Sequence, residues 1–186
     1  MPAANDVLSF MEKKELRNRV RAKVAAMGGE AKERASSEII SCLREHIMVS
    51  GARVVALFSP LHDEPRIMRL VNELSLRLSV ALPRVEGDVM RFYCYSPESL
   101  RVGAFGIDEP QDTPLVEPWE IDLMVVPGVA FTNDGARMGR GKGFYDKYMS
   151  HCDFRAHKVG VCFREQLVDN IPTEPHDIRM DCIISK

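Results

Sequence analysis

Gly139, Gly141 and Gly143 fall at every second position of "ARMGRGKGFYDKY", Ala136 to Tyr148, with Arg137, Arg140, Lys142 and Lys147 beside them. Glycines this close together let a ligand approach the backbone where side chains would exclude it. A Gly-rich loop that follows a parallel strand and opens a helix presents N–H groups to an anion. Arginine adds a planar fork for phosphate oxygens, and Lys142 a mobile point charge suited to a transferring phosphoryl group. The spacing G-x-G-x-G is neither the dinucleotide fingerprint nor the G-x-x-x-x-G-K-[ST] loop, so it points to a polyphosphate without naming one. Asp146, the one acid in the window, suits a magnesium ion bridging phosphates. Tight turns and solvated surface charge draw on the same residue types, and that alternative stays open on spacing alone.

Three further patches offer chemistry. In "FSPLHDEPR", Asp63 and Glu64 are suited to amino or imino groups of a substrate or to a metal, while Asp63 is equally suited to capping a helix that starts at Pro65. In "PTEPHDIRMD", Asp177 is a possible second carboxylate for the same ion, and an acidic surface turn is its alternative. In "EKKELRNR", Lys13 and Arg17 stand at i and i+4 on one helical face, where they repel unless exposed or facing an anion. Trp119, Phe131, Phe144 and Tyr145 are aromatic surfaces for a flat heterocycle or, individually, core residues. No Ser or Cys is tied to His62 by spacing, so no nucleophilic triad follows.

These patches need a scaffold to bring them together. Leu8, Met11, Leu16, Val20 and Val24 predict an amphipathic helix that stops at Gly28-Gly29, and Ile39, Ile40, Leu43 and Ile47 predict a second one between Glu30 and Val49. "RVVALFS", Arg53 to Ser59, is an apolar run suited to a strand covered on both faces. A helix from Pro65 and the strand "LSVALP" complete a parallel unit, followed by the strand "VMRFYCY". The stretch "SPESLRVGAFGIDEPQDTPLVEP" predicts an irregular excursion along a site edge, in which "LRVGAFG" can still pack. "IDLMVVPG", Ile121 to Gly128, is the best central strand and leads straight into the glycine segment. "HKVGVCF" and "MDCIIS" supply two short final strands. Open parallel sheets bind ligands beyond the carboxyl ends of their strands, where the glycine segment falls.

The chain-wide numbers narrow the class. A length of 186 residues fits a single domain, 1–186, and a formal charge of -2 gives no global attraction to nucleic acid or an anionic membrane. Basic and aromatic residues do not interleave as in a nucleic-acid module. No apolar run approaches the roughly 20 residues of a membrane span, and the N-terminal segment lacks the apolar core of a secretory signal. Cys42, Cys94, Cys152, Cys162 and Cys182 are odd in number and form no C-x-x-C pair, the pattern of reduced thiols in a cytoplasmic protein. Cys152 and Cys162 are expected to pack.

"KKELR", "FSPLHDE", "DLMVVPGVAFTNDGARMGRGKGFYD" and "FREQLVDNIPTEPHDIRMD" together resemble the 5-formyltetrahydrofolate cyclo-ligase family, also called methenyltetrahydrofolate synthetase, over nearly the whole span from Lys13 to Asp181. The central block carries most of the specificity: P-G-x-A-F, then G-x-R-x-G-x-G-K-G, then an aromatic pair and Asp. The resemblance implies an α/β three-layer sandwich around a mainly parallel open sheet with two N-terminal helices, in a monomeric cytoplasmic enzyme. It implies conversion of 5-formyltetrahydrofolate and ATP, with Mg2+, to 5,10-methenyltetrahydrofolate, ADP and phosphate. Carried onto this chain, ATP falls to Lys13, Lys14, Glu15, Leu16 and Arg17 and to Arg137, Met138, Gly139, Arg140, Gly141, Lys142, Gly143, Phe144 and Tyr145. The folate falls to Ser59, Glu64 and the shared segment Arg140 to Phe144, magnesium to Asp146 and Asp177, and catalysis to Lys142 and Arg140. Phe144 stands where the family commonly has Tyr, keeping the ring without its hydroxyl, and Pro65-Arg66-Ile67 replaces an aliphatic residue, Asp and Thr. A non-catalytic phosphate-binding regulator and an enzyme of phosphorylated sugars are the competing readings, and Lys13 far from the glycines would favour either.

Overall fold

The computed structural model describes residues 4–103 and 106–186, with side chains described from residue 12 onward. The expected inward positions of Leu8 and Met11, and Ala104 and Phe105 of the packing stretch, therefore lie outside the described residues. Two helices, α1 (Ala4–Ala26) and α2 (Gly29–Ser50), precede β1 (Val54–Ala56). Then come α3 (Met68–Ser75), β2 (Ser79–Glu86), β3 (Val89–Cys94), β4 (Leu100–Val102), β5 (Asp108–Pro110) and β6 (Leu115–Val116). The chain continues through β7 (Leu123–Pro127), β8 (Ala130–Phe131), β9 (Arg137–Met138), α4 (Phe144–Met149), β10 (His157–Cys162) and β11 (Cys182–Ser185).

Seven strands form one sheet in the order β11-β10-β7-β1-β2-β3-β6. The five from β11 to β2 run parallel, and β3 and β6 are antiparallel. Residues of β7 alternate between two cores: Leu123 and Val125 pack with Ile39, Leu43 and Leu70 from α2 and α3, while Met124 and Val126 pack with Met149 and Phe154 on the other face. This two-sided burial makes the three-layer α/β sandwich and explains why the parallel strands read as unbroken apolar runs.

Several boundaries differ from expectation. The first strand is only Val54–Ala56; beyond Leu57, whose N–H still bonds Ala81 O, the buried chain leaves the ladder to form the loop that carries Ser59 and Glu64. Helix α3 begins at Met68 instead of Pro65, because the preceding residues form a turn: Glu64 accepts from the Leu61 N–H and Ser36 Oγ accepts from the Arg66 N–H. Asp63 therefore caps no helix there. The strand after β2 returns as a hairpin, with Gly87 at φ 62° in the tight turn. The excursion is more regular than expected, since β4 pairs with β5 and β6 extends the main sheet.

Asp122 joins two strands at their amino ends, its Oδ2 accepting from the N–H groups of Arg53 (2.8 Å) and Val54 (2.9 Å). The Val54 bond, opposed by partial burial and aided by Arg53, holds this carboxyl below the ordinary range. Because the group is exposed, solvent screening limits its worth to about 1 kcal/mol. A lowered folded-state pKa gives stability that is present above the unfolded value and disappears as pH falls through the folded one. Asp122→Ala is thus expected to be less stable than the parent near neutrality, with urea midpoints converging below about pH 4.

Candidate active site

Beyond Pro127 the chain turns at Gly128 and forms the β8–β9 hairpin, which hands over to the glycine segment. Gln166 fixes the turn, donating from Nε2 to Gly128 O (2.8 Å) and Val129 O (3.2 Å) while its Oε1 accepts from the Phe163 N–H. Gly128 is required, since a Cβ there would lie 2.7 Å from the Phe131 ring. Helix α1 packs across the hairpin, burying Leu16 and Val20 against Ala130, Ala136 and Met138. That contact sets Lys13 and Arg17 beside the glycines: Arg17 Nε donates to Gly139 O at 2.9 Å. Lys14 and Glu15 are exposed and are not among the residues that line the cavity. Leu16 is core.

The result is a cavity of about 480 Å³ lined from four directions: Lys13 and Arg17 of α1, Ser59 and Glu64 of the loop after β1, the segment Arg137 to Asp146, and Glu174 to Asp177. Its size is that of a small-molecule site. Trp119 and Phe131 are not part of it; Trp119 is 57% exposed and Phe131 is fully buried in the core. Phe144 and Tyr145 do line the wall. Helix α4 has only six residues, so the loop and its cations, more than a helix dipole, define the anion-binding side.

Most of the cavity's cations already have partners. Lys13 Nζ, buried, lies 3.0 Å from Asp177 Oδ2 and 3.4 Å from Glu174 Oε1. Arg137, also buried, donates from Nη2 to Asp146 Oδ2 (2.7 Å) and from Nη1 to Pro127 O, and its Nε has no hydrogen-bond partner among the described residues. Arg140 is gripped by two carboxylates, with Nη1 3.2 Å from Asp63 Oδ2 and Nη2 2.8 Å from Glu64 Oε1. Arg140, expected to serve catalysis, thus has its charge compensated by two carboxylates. Arg17 and Lys142 make no ion pair among the described residues. Burial, with Arg21 nearby, lowers the Arg17 guanidinium more than the charges of Asp177 and Glu174 raise it.

The carboxylates divide by environment. Burial pushes Glu64 up more than Arg140 and the Leu61 N–H draw it down. Burial also acts on Asp63, but the bonds and charge of Arg140 prevail and hold it low. Asp177 is low too, because the Glu174 N–H and Lys13 outweigh burial. Asp146 Oδ1 accepts from the N–H of Ile178, the residue after Asp177, so the two expected metal carboxylates belong to joined segments. Glu174, His176 and Asp177 present ligand atoms within 4.8 Å of one another. Glu174 and Asp177 offer the hard oxygen atoms that magnesium prefers, and His176 offers nitrogen. Ser59 Oγ donates to Asp108 O at 2.6 Å, leaving its oxygen as an acceptor.

The family model for the 5-formyltetrahydrofolate cyclo-ligase family matches residues 10–186. The chain belongs to that family. The 5-formyltetrahydrofolate cyclo-ligase of Mycolicibacterium smegmatis is 32% identical over 170 residues, 84% of each chain. The Escherichia coli cyclo-ligase is 27% identical over 175 residues, covering 89% of this chain and 96% of its own. The solution structure of Aquifex aeolicus 5,10-methenyltetrahydrofolate synthetase, 36% identical, superposes with a TM-score of 0.84 over 93% of this chain and 89% of that one. The present chain is accordingly an enzyme, a cyclo-ligase.

Glu109 and Gln166 are among the residues of this cyclo-ligase site that escaped the sequence reading. Glu109 of β5 is 3% exposed, lines the cavity and accepts from the Val85 N–H; a Cβ on Gly103 would overlap it. Gln166 acts from behind the wall. The signal for Glu109 was the expectation that the acidic excursion runs along a site edge, which named no residue. Of the two cysteines expected to pack, Cys162 does, its thiol pushed up to about 12 by burial, whereas Cys152 is exposed.

Proposed function

We propose that this cavity binds 5-formyltetrahydrofolate together with ATP, transfers the γ-phosphoryl group to the formyl oxygen, and lets N10 attack the activated carbon, so that loss of phosphate leaves the 5,10-methenyl bridge. A formamide carbonyl is a poor electrophile because the nitrogen lone pair is delocalised into it, and phosphorylation converts its oxygen into a leaving group. The observation that carries this reading is the bond from Arg17 to Gly139 O: it sets a helix-borne cation against the glycine loop, as a polyphosphate requires, while Lys13 lines the same cavity and does not stand apart as either competing reading would favour.

In this mechanism Arg17 and Lys142 meet the phosphates, while Gly141 and Gly143, at φ 104° and 69°, keep side chains out of the space where the two substrates meet. Lys142 strengthens its interaction as charge develops during transfer. Glu64 and Ser59 offer acceptor oxygens to the folate's amino and imino groups, and Arg140 fixes Glu64. Phe144 and Tyr145 supply ring faces. Asp146 and Asp177 would hold a magnesium ion, which when bound neutralises phosphate charge and orients the triphosphate. Before that, Asp146 and Asp177 hold Arg137 and Lys13 in place.

The decisive assay mixes purified protein with 5-formyltetrahydrofolate, ATP and magnesium and follows methenyl absorbance alongside ADP. Product and ADP are expected in equal amounts; full-rate product without ATP contradicts the mechanism. Asp146→Asn and Asp177→Asn are expected to shift the magnesium dependence of turnover to higher concentration while thermal unfolding shows a folded protein. An unchanged magnesium titration in both removes them from the metal site.

A further inference from the structure

The opposite end of the sheet carries a second cluster of ligating side chains. His46 lies near the end of α2, His157 opens β10 and Cys182 opens β11, so all three gather at the amino ends of the parallel strands, away from the cavity beyond their carboxyl ends. Their nitrogen and sulfur ligand atoms lie within 4.8 Å of one another, and His157 Nε2 is 3.9 Å from Cys182 Sγ. Two ligands on a tetrahedral zinc ion, at about 2.0 and 2.3 Å, stand roughly 3.5 Å apart, so small side-chain rotations suffice to close this set on a metal. The two imidazoles are stacked with centroids 5.4 Å apart, which holds them together on the lip of a cavity of about 800 Å³ that also includes Cys42 and Glu45.

A separate observation concerns what lies behind His157. Asp181 Oδ2 is 3.6 Å from His157 Nδ1, and the same carboxylate is fixed by the Lys158 N–H at 2.7 Å. At 3.6 Å this is a charge contact and not a hydrogen bond, but it sets a carboxylate behind one ring nitrogen and leaves the other as a ligand, the placement found at metal-bound histidines. Here that other nitrogen is Nε2, facing Cys182.

We propose that His46, His157 and Cys182 form a site for a borderline-soft divalent cation of the zinc class, with water or Glu45 completing the coordination. One bound ion would tie α2 to the β10–β11 edge, two elements distant in sequence, and stabilise the folded chain without touching the catalytic cavity.

Cobalt(II) is the probe, because thiolate coordination gives it an intense near-ultraviolet charge-transfer band. The band is expected to saturate at one equivalent, to vanish in Cys182→Ser, to need at least tenfold more cobalt in His46→Ala and His157→Ala, and to persist in Cys152→Ser. That last variant controls for the exposed local trio His151, Cys152 and Asp153. Zinc is expected to raise the thermal midpoint of the parent and not of Cys182→Ser, with metal-free circular dichroism and cyclo-ligase rate matching in both. Should Cys182→Ser not fold, Cys182→Ala takes its place. Absence of the band, its survival without Cys182, or its loss in Cys152→Ser overturns the site.

Discussion

Lys142→Ala is expected to slow single-turnover methenyl formation about a hundredfold with both substrates saturating, equivalent to about 3 kcal/mol of transition-state stabilisation. Lys142 is exposed in the loop and makes no ion pair among the described residues, so its charge is available to a moving phosphoryl group and its loss leaves no buried partner stranded. An interaction made more strongly in the transition state reduces the rate even at saturation. Lys147 is also exposed but sits on α4, on the far side of Asp146, and Lys147→Ala is expected to remain within about twofold of the parent, a surface charge on this reading. Equal, parent-like rates for both variants would place Lys142 outside the catalytic set.

The second large effect is on folding. Gly135→Ala is expected to destabilise the protein by about 3 kcal/mol or more, measured as a lower urea midpoint with an unchanged slope. Gly135 has φ 90°, and a Cβ there would lie 2.3 Å from Met180 O, a backbone atom that cannot rotate away. The same peptide is an anchor: the Met180 N–H donates to Gly135 O at 2.8 Å. Thr132 supports the turn from within, its Oγ1 accepting from the Ala136 N–H. Because this turn carries Arg137 and the glycines, the alanine variant is expected to lose activity as well. A parent-like midpoint would mean that the hairpin tolerates a shift away from Met180.

Much of this architecture could be read along the chain because its causes are local. The apolar run of β7, the periodicity of α2 and the glycine spacing each state their own structure. The three-layer arrangement and most cavity residues came through resemblance. What stayed hidden depends on partners far apart in sequence. The partners of Arg140 could not be read locally, because Asp63 and Glu64 stand 77 and 76 positions away. A five-letter motif groups Lys14 and Glu15 with Lys13 and Arg17, whereas in the fold the first two are exposed and the other two line the cavity. The start of α3 was misplaced because Ser36, on another helix, bonds the Arg66 N–H.

The pairing of Lys13 with Asp177, 164 residues apart, also has a meaning for synthesis. A chain emerging from the ribosome presents α1 long before the acidic segment that receives it has been made. Until then Lys13 has neither Asp177 nor Glu174 opposite it, and the wall containing both is missing. The hairpin, glycine loop and α1 can meet earlier, but they enclose only part of the space. A nascent chain therefore holds no complete chamber until the segment before β11 has been made and docks. Closing a loop of that length is also among the slower events available to a folding chain.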